Sequence, residues 1–278
     1  MKKKAWLICT DLDASLLDAS YQWHEAEPAL EAIRSLGVPL ILNSSKTLAE
    51  MLPLAAVMDP HAPIIAENGT VLAYPEGADL VEVDGDAEGA YQVNACSMGR
   101  SELIERADGL RRKHGYRYVG FSEMGSQSLM ELLGLEHEQA EAALDRRSTE
   151  PILWESSPEA LETFSDALAR EGIALVRGGH FQHLMPAGTS KGSALTRILQ
   201  CYQARNPELD WKTLAIGDSP NDCSMLELAD EAIVIPNPKR GTLQLKRPNY
   251  RVAEAFGPEG WGTSVLAFIT AQLSIATT

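Results

Sequence analysis

Five short, nearly uninterrupted apolar runs constrain this chain most: residues 5–10, 38–42, 63–66, 211–216 and 231–235. Each is too brief for an ordinary helix, and none alternates with polar residues as a half-exposed strand would. A strand that is apolar on both faces has to be covered on both, which is the situation of a parallel sheet between two helical layers. Helical patterns fall between the runs. Residues 26–36 put Leu30, Ile33 and Leu36 on one face and end at Gly37, placed to cap the C-terminus. Further helices are expected at 47–58, 191–204 and 220–228. Strand, helix, strand in about 40 residues is a βαβ unit with a right-handed crossover, so the fold class is α/β with a Rossmann-like parallel-sheet core. Glu67-Asn68-Gly69-Thr70 then reads as a hairpin turn.

The rhythm changes near residue 84. Helical patterns at 100–114, 136–146 and 158–171 alternate with expected strands at 116–121, 151–154, 173–177 and 181–185, a mixture that suits a separate α+β module. After Pro186 the first rhythm returns. The expected organisation is a discontinuous core, 1–83 and 187–278, with an α+β cap at 84–186 hinged near 80–86, Pro186 and Gly188.

The chain has 278 residues, 45% of them hydrophobic, which supplies a proper core. A formal net charge of −15 argues against a general nucleic-acid binder, and an anionic ligand would need local cations or a metal. Cys9, Cys96, Cys201 and Cys223 are scattered without a C-x-x-C pair, so neither a zinc knuckle nor a disulfide framework is expected. Lys2-Lys3-Lys4 before an apolar run imitates a signal peptide, but two aspartates interrupt it and no cleavage site follows. No stretch approaches the ~18 apolar residues of a membrane span. The expected location is the cytoplasm; the oligomeric state stays open.

Ligands of an open parallel sheet bind beyond the carboxyl ends of its strands. Asp11 and Asp13 follow the first run, Ser44 the second, and Gly217-Asp218 the run at 211–216, while Lys191 opens the helix that re-enters the core. Taken alone, a D-x-D pair is more often a solvated turn or helix cap than a catalytic pair, and a helix-start lysine is as often simply solvated. Here several acids should converge on one edge. Converging carboxylates repel, and Mg²⁺, a hard cation that takes oxygen ligands and keeps waters, relieves the repulsion. Asp222, one helical turn past Asp218, can face the same metal or orient Lys191.

DLDAS, LNSS, SKG and GDSPND, in that order, resemble the four motifs of the haloacid dehalogenase phosphatase superfamily. The resemblance implies that Asp11 is a nucleophile forming an aspartyl phosphate, and that Asp13 is the general acid and base. It also implies Mg²⁺ held by Asp11, the Asp13 carbonyl and Asp218, with Asp222 beside them. Lys191 and Ser44 then meet the phosphoryl oxygens. The superfamily usually has D-x-D-G-T, whereas Ala14 and Ser15 follow Asp13 here; if the turn needs a positive φ, Ala14 strains it by about 1 kcal/mol.

NSSKT at 43–47, AENG at 66–69, GFSEMG at 120–125, RRSTEP at 146–151, GGHFQHL at 178–184 and GPEGW at 257–261 are similar to strings of the mannosyl-3-phosphoglycerate phosphatases. His180 stands where arginine is usual. Glu123 or Glu150 is expected to accept hydrogen bonds from sugar hydroxyls. Lys46, Arg146, Arg177 or His180 is expected to pair with a glycerate carboxylate, with Ser45 and Gly179 close by. His183, Trp154, Trp211 and Trp261 read as packing residues. The expected activity is hydrolysis of mannosyl- or glucosyl-3-phosphoglycerate. The alternatives are a phosphatase of sucrose phosphate or a hexose phosphate, a phosphotransferase or mutase, and a non-catalytic binding module of the same fold.

Overall fold

The computed structural model describes residues 2–78, 80, 85–178 and 181–273. The chain opens with β1 (Lys3–Thr10), α1 (Glu27–Leu36), β2 (Leu40–Asn43), α2 (Leu48–Met58) and β3 (Ile64–Ala66). The lysine-led segment that imitates a signal peptide is therefore a strand. Gly37 ends α1 in the left-handed conformation at φ 63°, and Thr47 with Glu50 forms a capping box at the start of α2. A tight turn at 67–70 leads into β4 (Val71–Pro75), which pairs antiparallel with β3 as the expected hairpin.

β5 (Asp86–Glu88) and β6 (Tyr91–Ala95) come next. They fall within the stretch 84–186 yet join the large sheet: β6 pairs antiparallel with β4 from Val71↔Ala95 to Pro75↔Tyr91, and β5 pairs with β6. The reason is alternation, since Tyr91 and Val93 are buried on the core face while their neighbours are more exposed. The segment after them contains α3 (Arg100–His114), β7 (Tyr118–Gly120), α4 (Ser126–Leu133), α5 (His137–Leu144), β8 (Glu150–Trp154), α6 (Pro158–Arg170), β9 (Ile173–Arg177) and β10 (Gln182–Pro186). α4 lies in a stretch where no element is expected from the sequence.

The chain then returns through α7 (Lys191–Arg205), β11 (Leu209–Gly217), α8 (Cys223–Leu228), β12 (Glu231–Val234), β13 (Arg251–Val252) and α9 (Gly257–Gln272). The helix expected at 220–228 starts with one 3₁₀ turn, Pro220–Asp222.

The large sheet has the order β13-β12-β11-β1-β2-β3-β4-β6-β5, parallel from β13 to β3. β1 is central, flanked by β2 on one side and by the late strand β11 on the other, in register from Lys3↔Leu209 to Thr10↔Ile216. The strand order reverses there, which is where an open sheet offers a crevice. One apolar cluster joins the sheet to α1, α2 and α9 through residues such as Leu30, Met51 and Trp261; a second joins the other face to α7 and α8 through Leu195, Ile198 and Met225. The second sheet, β7-β8-β10-β9, is antiparallel and buries Phe164, Leu168 and Ile152 under α3 and α6. The architecture is a three-layer α/β core carrying an inserted α+β cap. Among the described residues no helix is long and apolar enough to cross a membrane.

Candidate active site

β1, β2 and β11 end at one edge of the sheet and deliver Asp11, Ser44 and Asp218 to it. The Asp11 amide donates to the Ile216 carbonyl at 2.8 Å, which ties the end of β1 to the end of β11. Behind it, Trp261 of α9 donates through Nε1 to Thr10 Oγ1 at 2.8 Å, and that hydroxyl donates to the Asp11 carbonyl at 2.7 Å. Trp261 is packed as expected and also braces this residue. Lys191 is the first residue of α7, whose N-terminus is closed by a Ser190–Ser193 capping box. A Cβ on Gly69 would lie 2.3 Å from the Ser190 carbonyl oxygen, so only glycine lets the 67–70 turn pack against this helix start.

Lys191 Nζ reaches Asp11 Oδ1 at 2.5 Å and Asp222 Oδ1 at 2.6 Å, with its side chain fully buried. The other Asp222 oxygen accepts from the Asp218 amide (3.0 Å), the Ser219 amide (2.9 Å) and the Ser219 hydroxyl (3.1 Å). Gly217 makes this possible, because a Cβ there would sit 2.6 Å from Asp222 Cγ. Both Asp222 oxygens are thus engaged, which fits the orientation of Lys191 better than direct metal ligation. Asp218 Oδ2 accepts from Asn237 Nδ2 at 2.6 Å.

One oxygen from each of Asp11, Asp218 and Asp222 lies within 4.8 Å of the others. Burial, then the Asp222 charge, raises the Asp11 carboxyl well above its ordinary value and pushes Asp218 up to about 6. Burial opposes the charge on Lys191, yet Asp11 and Asp222 outweigh it and hold the ammonium above its usual value. Three buried carboxylates against one ammonium leave an excess of negative charge among oxygen donors, a setting that a hard divalent cation fits.

Asp13 is half-exposed, with Lys46 Nζ 3.2 Å from its Oδ1; Lys46 also lies 3.6 Å from Glu50 Oε1 and 4.4 Å from the Tyr21 ring centroid. Ser44 is buried, its Oγ accepting from the Lys46 amide at 3.2 Å. The Ser45 carbonyl accepts from Arg146 Nη1 at 3.2 Å. A cavity of about 380 Å³ opens where α2 meets α5, lined by Tyr21, Lys46, Glu50, Leu135, Glu138 and Gln139.

The two cap acids singled out in the sequence both have partners within the cap. Glu150 is buried, pairs with Arg100 Nε at 2.7 Å and accepts from the Ser122 amide and hydroxyl at 2.8 and 2.7 Å. Glu123 accepts from Arg111 Nη1 at 3.0 Å and from the Gly120 amide at 2.9 Å. Both carboxylates hold cap elements together; Glu150 is enclosed, whereas the Glu123 side chain stays partly exposed. Gly179 and His180 lie outside the described residues. The Arg177 side chain is exposed at the end of β9. His183 is buried, and burial, then the charges of Arg146 and Lys191, holds its pKa down to about 3. Trp154 and Trp211 are half-buried against apolar clusters.

Sequence reasoning missed Asn237 and Glu67. Asn237 follows the apolar run at 231–235, so the strand-end rule could have found it. Glu67 is buried beneath the cap loop 146–149, and no local signal announces that.

A family model described as haloacid dehalogenase-like hydrolase matches residues 8–245. Among solved structures, a Thermoplasma acidophilum protein is 17% identical with a TM-score of 0.67, covering 95% of this chain and 98% of its own. The phosphatase BT1666 from Bacteroides thetaiotaomicron is 16% identical at a TM-score of 0.64, with 96% of both chains covered. The subclass IIB sugar phosphatase BT4131 is 16% identical at 0.62, covering 95% of this chain and 99% of its own. At such identities the structural likeness speaks for the fold.

Proposed function

Since the chain belongs to the haloacid dehalogenase-like hydrolases, we propose that it is a Mg²⁺-dependent phosphomonoesterase whose nucleophile is Asp11. The observation that carries this reading is Lys191 Nζ held at 2.5 and 2.6 Å between Asp11 and Asp222. The lysine keeps Asp11 aimed and neutralises charge on an arriving phosphoryl group. Asp11 attacks phosphorus as the bond to the ester oxygen breaks, and that oxygen keeps the electron pair and takes a proton from Asp13. Asp13 then accepts a proton from the water that attacks the aspartyl phosphate, which frees phosphate and restores Asp11. Bound Mg²⁺ would supply charge neutralisation for the phosphoryl oxygens; Asp11, Asp218 and the Asp13 carbonyl would hold it, with Asp222 positioning Lys191. Ser44 meets a phosphoryl oxygen. In this reading the cap is the part of 84–186 that lies outside the large sheet.

For the substrate we favour a glycosyl-3-phosphoglycerate, mannosyl or glucosyl. The support is the set of strings shared with the mannosyl-3-phosphoglycerate phosphatases, together with Lys46 and Arg146, two cations on either side of the Ser44–Ser45 loop that can meet a carboxylate. The 380 Å³ cavity beside Lys46 has the size of a small-molecule site, and Glu50, Glu138 and Gln139 offer acceptors for sugar hydroxyls. A phosphatase of another sugar phosphate, such as sucrose phosphate or a hexose phosphate, is the second reading, favoured by the likeness to a subclass IIB sugar phosphatase. Phosphate release should be compared across both ester classes, with and without Mg²⁺. The expected outcome is Mg²⁺-dependent release with the largest kcat/KM on a glycosyl-3-phosphoglycerate, reduced by at least about 10³-fold in Asp11→Asn. Release from no ester, or an active Asp11→Asn variant, would overturn the enzyme reading; preference for a hexose phosphate would overturn only the substrate.

A further inference from the structure

Glu67 is fully buried at the turn between β3 and β4, yet among the described residues its side-chain hydrogen-bond partners come from the cap. Its Oε1 accepts from the Arg147 amide at 2.8 Å, and its Oε2 accepts from the Ser148 amide at 3.2 Å and the Thr149 hydroxyl at 2.6 Å. Hydrogen bonds to a carboxylate are stronger than neutral ones, and these three converge on one short loop. The loop gains two further ties nearby. Arg146 Nη1 donates to Thr149 Oγ1 at 2.9 Å and to the Ser45 carbonyl at 3.2 Å, next to Ser44. Thr47, at the start of α2, donates to the Ala142 carbonyl at 2.8 Å. Glu67 and Asn68 both hold positive φ, 49° and 59°, a strained pair that surrounding contacts must impose.

The loop held in this way also carries enclosed polar atoms that are not used up. Arg146 Nε and Ser148 Oγ are buried and have no partner among the described residues, and the same is true of Asn68 Nδ2 on the core side. Buried donors without partners are costly unless a ligand completes them. We infer that Glu67 is a positioning residue, a core carboxylate that clasps cap loop 146–149 so that its donors, with Asn68, meet an oxygen-rich leaving group. The inference rests on the phosphomonoesterase reading, and it adds to that reading the residue through which cap placement governs affinity for the leaving group. Glu67 touches neither phosphorus nor nucleophile.

The test compares wild type with Glu67→Gln on the best glycosyl or sugar ester and on p-nitrophenyl phosphate, whose aryl group cannot use those donors. Amide exchange over residues 146–149 is followed in both proteins. The expected result is a fall of about tenfold or more in the ratio of kcat/KM for the sugar ester to kcat/KM for p-nitrophenyl phosphate, carried mainly by a raised KM, with faster exchange in the loop. Thr149→Val removes one of the three donors and should move both readouts in the same direction by less; it carries the test if Glu67→Gln does not fold. Equal losses on both esters would mean a merely structural role and overturn the inference, as would unchanged exchange. If wild type released phosphate from neither ester, the phosphatase reading would fall, and loop exchange alone would then decide whether Glu67 holds the cap.

Discussion

Ala14 sits at φ 61°, in the left-handed region where the superfamily's usual glycine pays no Cβ penalty. The turn it occupies is fixed by its own amide donating to the Leu17 carbonyl at 3.0 Å and by Leu16 and Leu17 buried beneath it, so the chain tolerates the strain and keeps the aspartates in place. Ala14→Gly should therefore stabilise the fold by about 1 kcal/mol at most, part of the strain relief being offset by the freer unfolded chain, as read from denaturant midpoints. His183 gives the opposite kind of sensitivity. With its folded value near 3 against about 6.5 unfolded, the unfolded state binds more protons between those limits. Stability contributed by keeping His183 neutral is then complete above pH 6.5 and lost as pH falls toward 3, about 2 kcal/mol of it by pH 5. His183→Gln should flatten the slope of unfolding free energy between pH 7 and 5 by that amount; an unchanged slope would refute the assignment.

Among the elements, those buried on both faces were readable from the sequence. β1, β2, β3, β11 and β12 stand out because each carries a short run that is largely apolar on both faces, and Asp11, Ser44 and Asp218 were legible because each follows such a run at its carboxyl end. β5 was not legible: it is a short edge strand whose Asp86 and Glu88 carry no apolar pattern. α4 is eight residues between glycines, too short for a periodic signal. The partners of the buried acids were not legible for a different reason. The partner that occupies Glu150, Arg100, lies 50 residues earlier, and the donors that occupy Glu67 lie about 80 residues later. Sequence spacing shows a carboxylate but not the tertiary partner that decides whether it binds substrate or another element.

Taken as a whole, the molecule carries a net charge of −15 and still gathers Lys191, Lys46 and Arg146 around one sheet edge, where a phosphorylated ligand would need them. The core supplies the Asp11–Lys191–Asp222 chain and Asp218 beside it, while the cap lies across it through Glu67, Ser45 and Thr47. In the proposed reading the chemistry sits on the core, while Lys46 and Glu50 of the core and Arg146 of the cap recognise the substrate, and the whole account requires the early aspartate to become phosphorylated. Borohydride trapping during turnover, which reduces an acyl phosphate to the alcohol, followed by peptide mass mapping, tests this directly. The account predicts that position 11 alone is converted to homoserine, and only when substrate is present. Normal phosphate release with Asp11 unmodified, or trapping at another carboxylate, would contradict it.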